Sequence, residues 1–218
     1  MPDYAVMNQL LFEGAAPRVK EMTEQALAEG RPVEEVLKDG LIAGMSVVGE
    51  DFKHNRVYVP EVLQSARAMK AGMAVLKPLI TKSDLARPVG TLVIGTVKGD
   101  LHDIGKNLVC MMAEGNGFQV IDLGVDSNAD KFVAAVRQHQ ATVVGMSALL
   151  TTTMGYMKTV IGALEEAGMG EIPVCVGGAP VSQGFADEIG ADGYAPDAAS
   201  AVELFKKMVE RRAAVPAA

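Results

Sequence analysis

Large aromatic side chains are scarce in this sequence. Its 218 residues include no tryptophan, 4 tyrosines and 6 phenylalanines, against 13 methionines. A core with so few rings is packed by aliphatic side chains and by methionine, whose flexible thioether fills irregular gaps. Hydrophobic residues make up 49% and charged residues 22%, which is the balance of a folded globular chain. The length suits one large domain or two small ones.

Other features are missing too, and each absence excludes a class of protein. Cys110 and Cys175 form no CxxC pair and no zinc-ligand spacing, so we expect two buried, reduced thiols. The N-terminus lacks the basic and apolar regions of a signal peptide, which predicts a cytoplasmic protein. No run of about 18 uncharged apolar residues is present, so we expect no membrane association. The net charge of -7 argues against a nucleic-acid partner.

Residues 1–85 have the pattern of a helical domain. Glycine is sparse there, and apolar residues recur every three or four positions, as in the series from Val33 to Val48. Short interruptions fall at 14–17, 29–32 and 54–59. They predict an antiparallel bundle of about four helices, which ends in a linker at Ser83–Pro88.

Residues 86–218 have a different pattern, in which short β-branched runs alternate with helical segments. The predicted strands are Thr91–Val97, Phe118–Asp122, Thr142–Ser147, Ile172–Val176 and Gly193–Tyr194. The predicted helices lie near 103–115, 129–139, 154–168, 180–189 and 198–212. Alternation of this kind indicates right-handed βαβ units, so we expect a flavodoxin-like α/β domain with a five-stranded parallel sheet. Ligands of such sheets bind beyond the carboxyl ends of the strands.

The segment after the first strand carries the most distinctive chemistry. His102 stands two residues after Asp100 in a predicted loop. An imidazole can bind a transition metal through one nitrogen while a carboxylate holds the other N–H. Gly105 would let the chain turn or let a large ligand approach the backbone. Taken alone, the pattern fits equally well an aspartate that caps the next helix beside an exposed histidine.

The other strand ends decide between these interpretations. The ordered motifs Asp100-x-His102-x-x-Gly105, Ser147-x-Leu149 and Gly177-Gly178 resemble the cobalamin-binding domain of cobalamin-dependent methyltransferases and mutases. The helical half is similar to the cap domain of the methyltransferase branch, above all at 59–62 and 65–69. The whole chain resembles a free-standing corrinoid protein, similar to the cap and B12-binding domains of methionine synthase.

The resemblance implies roles for individual residues. His102 would be the lower axial ligand of cobalt, in place of the cofactor's own benzimidazole. Asp100 would accept a hydrogen bond from the other ring nitrogen of His102. Thr153 would complete the relay, with the alignment within 151–153 left open. Ser147 and Leu149 would line the slot for the nucleotide tail.

The resemblance implies further cofactor contacts. Gly177 and Gly178 would leave room for the tail. Additional contacts at the strand ends would come from Gly99, Leu101, Asp103, Ile104, Gly105, Thr151, Tyr194 and Ala198. Candidates in the cap, which would cover the upper face of the corrin, are Tyr58, Val59, Leu63 and Met69.

The implied function is that of a methyl carrier which does not turn over alone. It would accept a methyl group on Co(I) from a substrate:corrinoid methyltransferase. From methyl-Co(III) it would pass the group to a second methyltransferase that serves tetrahydrofolate or a thiol. A reductive activator would rescue oxidised cobalt. The methyl donor is left open.

Three alternatives follow from the same residues. A cobalamin-binding sensor would carry an added DNA-binding domain with a basic helix, and none is visible. The small subunit of an adenosylcobalamin mutase would lack the helical half. A phosphoacceptor receiver needs an aspartate at the end of the third strand, where Ser147 stands.

Overall fold

The computed structural model describes residues 3–80 and 88–213. The chain divides into two compact units: the first contains the residues up to Pro88 together with Gly115–Gly117, and the second contains Val89–Glu114 and Phe118–Ala218. The predicted linker lies, up to Arg87, outside the described residues, as does the predicted boundary after residue 85. Among the described residues, no helix combines the length and the apolar character needed to cross a membrane.

The first unit consists of helices. Their bounds are α1 Tyr4–Phe12, α2 Ala16–Ala28, α3 Val33–Glu35, a π-helical segment Val36–Ile42, α4 Ala43–Lys53 and α5 Val59–Ile80. Because α3, the π-helical segment and α4 follow one another without interruption, residues 3–80 form four continuous helical stretches, as predicted. Helix α1 begins where Asp3 Oδ1 accepts a hydrogen bond from the Ala5 N–H at 2.9 Å. Fully buried side chains at helical spacing fill its core, among them Met7, Leu11, Leu41, Met45 and Leu76.

The second unit is built on a parallel sheet. Its strands are β1 Thr91–Thr96, β2 Gln119–Asp122, β3 Val143–Ser147, β4 Val174–Gly177 and β5 Gly193–Ala195. All five are parallel, in the order β2-β1-β3-β4-β5. This is the flavodoxin-like order that the alternating pattern predicted. Every residue of the central strand β1 is buried, which explains its unbroken β-branched and apolar sequence.

Helices connect the strands and cover the sheet. Their bounds are α6 Ile104–Gly115, α7 Ala129–His139, α8 Thr151–Met154, α9 Tyr156–Glu166, α10 Gln183–Ile189 and α11 Ala198–Ala213. Phe132 of α7 and Met157 and Leu164 of α9 are fully buried in the core cluster under the sheet.

Several elements differ from the predictions by one to three residues, and two of them lie at the carboxyl ends of the strands. The helix predicted near 154–168 begins earlier and is interrupted, since α8 ends at Met154 and α9 starts at Tyr156. The fourth strand begins at Val174 rather than Ile172 and extends to Gly177. Its pairing with β3 ends at Ser147↔Gly177. Gly177 is therefore part of the strand.

Candidate functional site

The predicted convergence of strand ends is visible in the register of the sheet. Thr96 pairs with Ser147, Ser147 with Gly177, and Gly177 with Ala195. These four residues form one row across the carboxyl edge. The loops that follow β1, β3, β4 and β5 therefore leave the sheet side by side.

Asp100 and His102 form a dyad in the loop after β1. Asp100 Oδ1 lies 2.7 Å from His102 Nδ1 and accepts the backbone N–H of His102 at 3.0 Å. Asp100 is fully buried, whereas half of the His102 side chain is exposed. Asp100 therefore does not act as an exposed helix cap. It holds both the backbone and the ring of His102.

The loop after β3 supplies the remaining partners of Asp100. Asp100 Oδ2 accepts the N–H of Leu149 at 2.8 Å and that of Leu150 at 3.2 Å. It also lies 2.8 Å from Thr153 Oγ1, which is 2.9 Å from the Leu150 carbonyl oxygen. Of the three candidate threonines, Thr153 is thus the one beside the carboxylate, and Thr151 and Thr152 are exposed.

These hydrogen bonds determine the charge of Asp100 and the tautomer of His102. Burial alone would raise the pKa of Asp100. The N–H groups of Leu149 and His102, the His102 ring and the Thr153 hydroxyl together hold that pKa well below its usual range. An ionised carboxylate only accepts hydrogen bonds, so Nδ1 of His102 carries the proton. Nε2 is therefore the ring nitrogen whose lone pair a ligand could use.

An apolar surface surrounds the dyad. Leu101 and Ile104 are 71% and 79% exposed, and Leu149 and Leu150 are 43% and 41% exposed. Side chains of this size are rarely left in water together without a binding role. Gly105 adds open space, since a β-carbon there would meet no atom within 4 Å. Gly105 lies within α6 and therefore does not form a turn.

Backbone geometry gives Gly99 and Gly178 a role of their own. Gly99 has φ +84° and its N–H donates to Asp126 Oδ1 at 2.7 Å. Gly178 has φ +126°, and a β-carbon there would clash with the carbonyl oxygen of Ala148. Gly178 is therefore required for the β3 and β4 ends to lie together, whether or not a ligand tail occupies the space beside it.

The remaining predicted residues of the sheet unit lie along the same edge or beside it. Ser147, Gly177 and Tyr194 are half-buried, and Ala198 is buried at the start of α11. Asp103 is exposed before α6, where its Oδ2 accepts a hydrogen bond from Asn107 Nδ2 at 2.9 Å.

The cap candidates belong to the first unit. Tyr58 is 64% exposed, Val59 and Leu63 are half-buried, and Met69 is buried. Tyr58 is therefore open to a ligand, whereas Met69 is packed inside the protein.

Sequence reasoning missed several residues of this edge. Thr96 is fully buried and its hydroxyl donates to the His102 carbonyl oxygen at 2.8 Å. Lys106 is buried, and its Nζ lies 2.6 Å from both carboxylate oxygens of Asp122. Lys106 could have been noticed in the sequence, because it is a charged residue on an otherwise apolar face of the predicted helix. No sequence signal marks the backbone N–H of Leu150.

Comparison with known proteins identifies the family of the chain. A B12 binding domain model matches residues 90–203, and a second model of that description matches residues 6–77. A corrinoid protein of Desulfitobacterium hafniense is 42% identical over 206 residues, covering 93% of this chain and 95% of that protein. The chain belongs to the corrinoid proteins of methyltransferase systems. The predicted family is therefore confirmed.

Two further relatives support this assignment to the corrinoid proteins. A trimethylamine corrinoid protein of Methanosarcina acetivorans is 41% identical over 88% of this chain and 89% of its own length. The crystal structure of the methanol:cobalamin methyltransferase complex from Methanosarcina barkeri contains a chain with a TM-score of 0.83 and 33% identity. That match covers 94% of this chain and 78% of that chain. The predicted fold, a helical cap followed by a five-stranded parallel-sheet domain, is confirmed.

The cofactor of this corrinoid protein is cobalamin or a related corrinoid, and the residues of the edge fit it. A corrin is a wide, largely apolar ring, which matches the exposed Leu101, Ile104, Leu149 and Leu150. An imidazole nitrogen is a good ligand for a transition metal such as cobalt, and Nε2 of the half-exposed His102 is the ring nitrogen that does not face Asp100.

Proposed function

We propose that this corrinoid protein is a methyl carrier and that His102 is the lower axial ligand of its cobalt. The observation that carries the proposal is the Asp100–His102–Thr153 constellation, in which five donors hold one buried carboxylate and Nδ1 of His102 faces that carboxylate, so that Nε2 is the ring nitrogen left for a ligand. When bound, the cobalt of the corrinoid supplies a nucleophile that takes up a methyl group and later releases it.

The protein would contribute, in His102, a cobalt ligand that can bind and dissociate. Nε2 of His102 could hold cobalt only while it carries no proton, so a proton delivered to Nε2 would release the ring. His102 keeps its Nδ1 proton throughout, because the hydrogen bonds from Leu149 and Thr153 keep the Asp100 carboxylate ionised and able to accept from Nδ1. The ring therefore keeps one orientation in both states.

The carrier would serve two enzymes and be maintained by a third protein. A substrate:corrinoid methyltransferase would load the methyl group, and a second methyltransferase would remove it to tetrahydrofolate or a thiol. A reductive activator would return oxidised cobalt to the reactive state. The methyltransferase complex that contains the structural relative supports the first of these partners.

The remaining sequence predictions belong to the same proposal. The loops after β4 and β5, with Gly177, Gly178, Tyr194 and Ala198, would accommodate the nucleotide tail together with Ser147. Tyr58, Val59 and Leu63 would cover the upper face of the corrin.

The axial ligand is tested by electron paramagnetic resonance of protein reconstituted with hydroxocobalamin and reduced to Co(II). Histidine labelled with ¹⁵N separates the protein imidazole from the cofactor's benzimidazole, because the label changes the multiplicity of the superhyperfine splitting. We expect the labelled splitting in the wild type and its complete loss in His102→Ala. Labelled splitting that persists in His102→Ala would overturn the assignment.

His54→Ala is the matched control. The His54 side chain is also 50% exposed, and its Nδ1 also faces a carboxylate, Glu50 Oε1, at 3.3 Å. We expect this variant to keep the wild-type splitting. Assembly of adenosylcobalamin-loaded protein that depends on light would instead favour the cobalamin sensor.

A further inference from the structure

We propose that Thr96 is a positioning residue that sets the reach of His102 toward cobalt. This inference rests on the proposed role of His102 as axial ligand. Its basis is a buried hydroxyl: Thr96 is fully buried, and its Oγ1 donates to the carbonyl oxygen of His102 at 2.8 Å.

The loop that carries His102 has no regular structure of its own. Residues 98–103 lie between the end of β1 and the start of α6. The Asp100 carboxylate holds the N–H and the ring of His102 from one side. The carbonyl group on the other side of the same Cα would be free to rotate without a second support. The Thr96 hydroxyl supplies that support.

The backbone of Thr96 is itself held at a fixed place. Its N–H donates to the Gly124 carbonyl oxygen at 2.9 Å, and its carbonyl oxygen accepts the Ser127 N–H at 3.0 Å. On the other side it pairs with Ser147 of β3. A β-branched side chain has a restricted χ1, so a rigid backbone also fixes the hydroxyl.

Thr96 and Asp100 orient different parts of His102. Asp100 determines which way the imidazole ring faces, and Thr96 determines how far the His102 backbone stands from the sheet edge. An axial bond tolerates little error in either, because ligands have to be held close to their productive geometry by such supporting hydrogen bonds. Loss of the hydroxyl is expected to weaken cobalt ligation by His102 while the protein still folds.

The test measures ligation in competition. Protein labelled with ¹⁵N-histidine is reconstituted with hydroxocobalamin, reduced to Co(II), and titrated with unlabelled imidazole. Electron paramagnetic resonance then reports the share of cobalt bound to the labelled ring. Since one hydrogen bond is removed, we expect Thr96→Val to need about threefold to tenfold less imidazole for half displacement. Thr96→Ser, which keeps the hydroxyl, should return toward the wild-type midpoint.

Thr142→Val is the matched control. Its hydroxyl also bonds a strand backbone, at 3.2 Å to the Thr91 carbonyl oxygen and 2.9 Å to the Thr91 N–H, but at the opposite end of the sheet. We expect Thr142→Val to lose stability without a shift in the imidazole midpoint. If Thr96→Val does not fold, Thr96→Ala removes the same hydroxyl with a smaller side chain and is expected to show the same shift.

The outcomes separate this inference from the proposed function. Labelled coupling in the wild type, with an unchanged midpoint in Thr96→Val or Thr96→Ala, would overturn the role of Thr96 alone. A wild type without labelled coupling would overturn the axial assignment of His102 and this inference with it.

Discussion

At the scale of the single residue, Asp100 joins two loops of the sheet edge. Its Oδ1 receives the backbone and the ring of His102, and its Oδ2 receives Leu149, Leu150 and Thr153. A buried carboxylate is stable only when its charge is compensated in this way. The same hydrogen bonds that orient the ligand therefore also stabilise the fold.

The stabilising effect of Asp100 should depend on pH. Its pKa in the folded protein is lower than the value of about 3.9 expected in the unfolded chain. The contribution is therefore complete above about pH 5 and is lost as the pH falls through about 4 and below. We expect the apoprotein of Asp100→Asn to be less stable by about 2 kcal/mol at neutral pH, a melting temperature about 4–8 °C lower.

The measurement is thermal melting of the wild type and Asp100→Asn between about pH 7 and pH 3, where the difference should shrink with falling pH. Asp187→Asn is the control, because Asp187 is exposed and its carboxylate accepts a hydrogen bond from the side chain of the exposed Gln183. It should melt like the wild type throughout. A gap between wild type and Asp100→Asn that stays constant or widens toward acid pH would contradict the assignment.

At the scale of the element, the positions of strands were predictable and the contacts between their ends were not. The run Thr91–Val97 predicted β1 to within one residue because β-branched and apolar residues fill a strand that is buried on both faces. The break between α8 and α9 was missed, since the helical period continues across Gly155. The π-helical segment Val36–Ile42 was missed for the same reason: its apolar spacing is also that of an α-helix.

In the candidate site, too, some residues were predictable from the sequence and others were not. Asp100, His102 and Gly105 form a pattern of residue types that can be recognised in the sequence. The N–H groups of Leu149 and Leu150 reach Asp100 through the backbone, and any residue type could supply them. Thr96 looked like an ordinary strand residue, because its partner, the His102 carbonyl group, is also backbone. Sequence patterns therefore indicated the ligand but not the supports of its backbone.

Gly178 allows a prediction about the junction of β3 and β4. With φ +126° and the Ala148 carbonyl oxygen in the place of a β-carbon, alanine cannot be accommodated without moving one strand end. We expect Gly178→Ala to destabilise the apoprotein by about 3 kcal/mol, combining backbone strain with the clash. Urea or thermal unfolding would measure this effect.

Gly162→Ala is the matched control for Gly178→Ala. Gly162 lies inside α9, and a β-carbon there meets no atom within 4 Å. Alanine is the better helix former by about 1 kcal/mol, so this variant should be slightly more stable than the wild type. Equal stability of Gly178→Ala and the wild type would show that the loops can separate, and would leave the tail as the reason for a glycine at this position.

At the scale of the whole molecule, the proposed ligand His102 and the residues that hold it belong to one of the two compact units. Thr96, Asp100, His102 and Thr153 all lie in the second unit, after Val89. That unit has a core of its own, a cluster of buried side chains that runs from Val93 to Ile189. A unit with its own core and its own sheet meets the usual requirement for independent folding.

We therefore predict that residues 89–218 fold and ligate cobalamin without the helical unit. The fragment should unfold cooperatively on heating. After reconstitution with hydroxocobalamin it should show the ¹⁵N-histidine splitting in the Co(II) state, and His102→Ala in the fragment should abolish it. A fragment that folds but shows no labelled splitting would mean that the axial ligand needs the helical residues, including Tyr58, Val59 and Leu63, to engage. Retained splitting would show that the helical unit is not needed for cobalt ligation. Its role would then lie elsewhere, such as in control of access to the upper face of the corrin and in recognition of the methyltransferases.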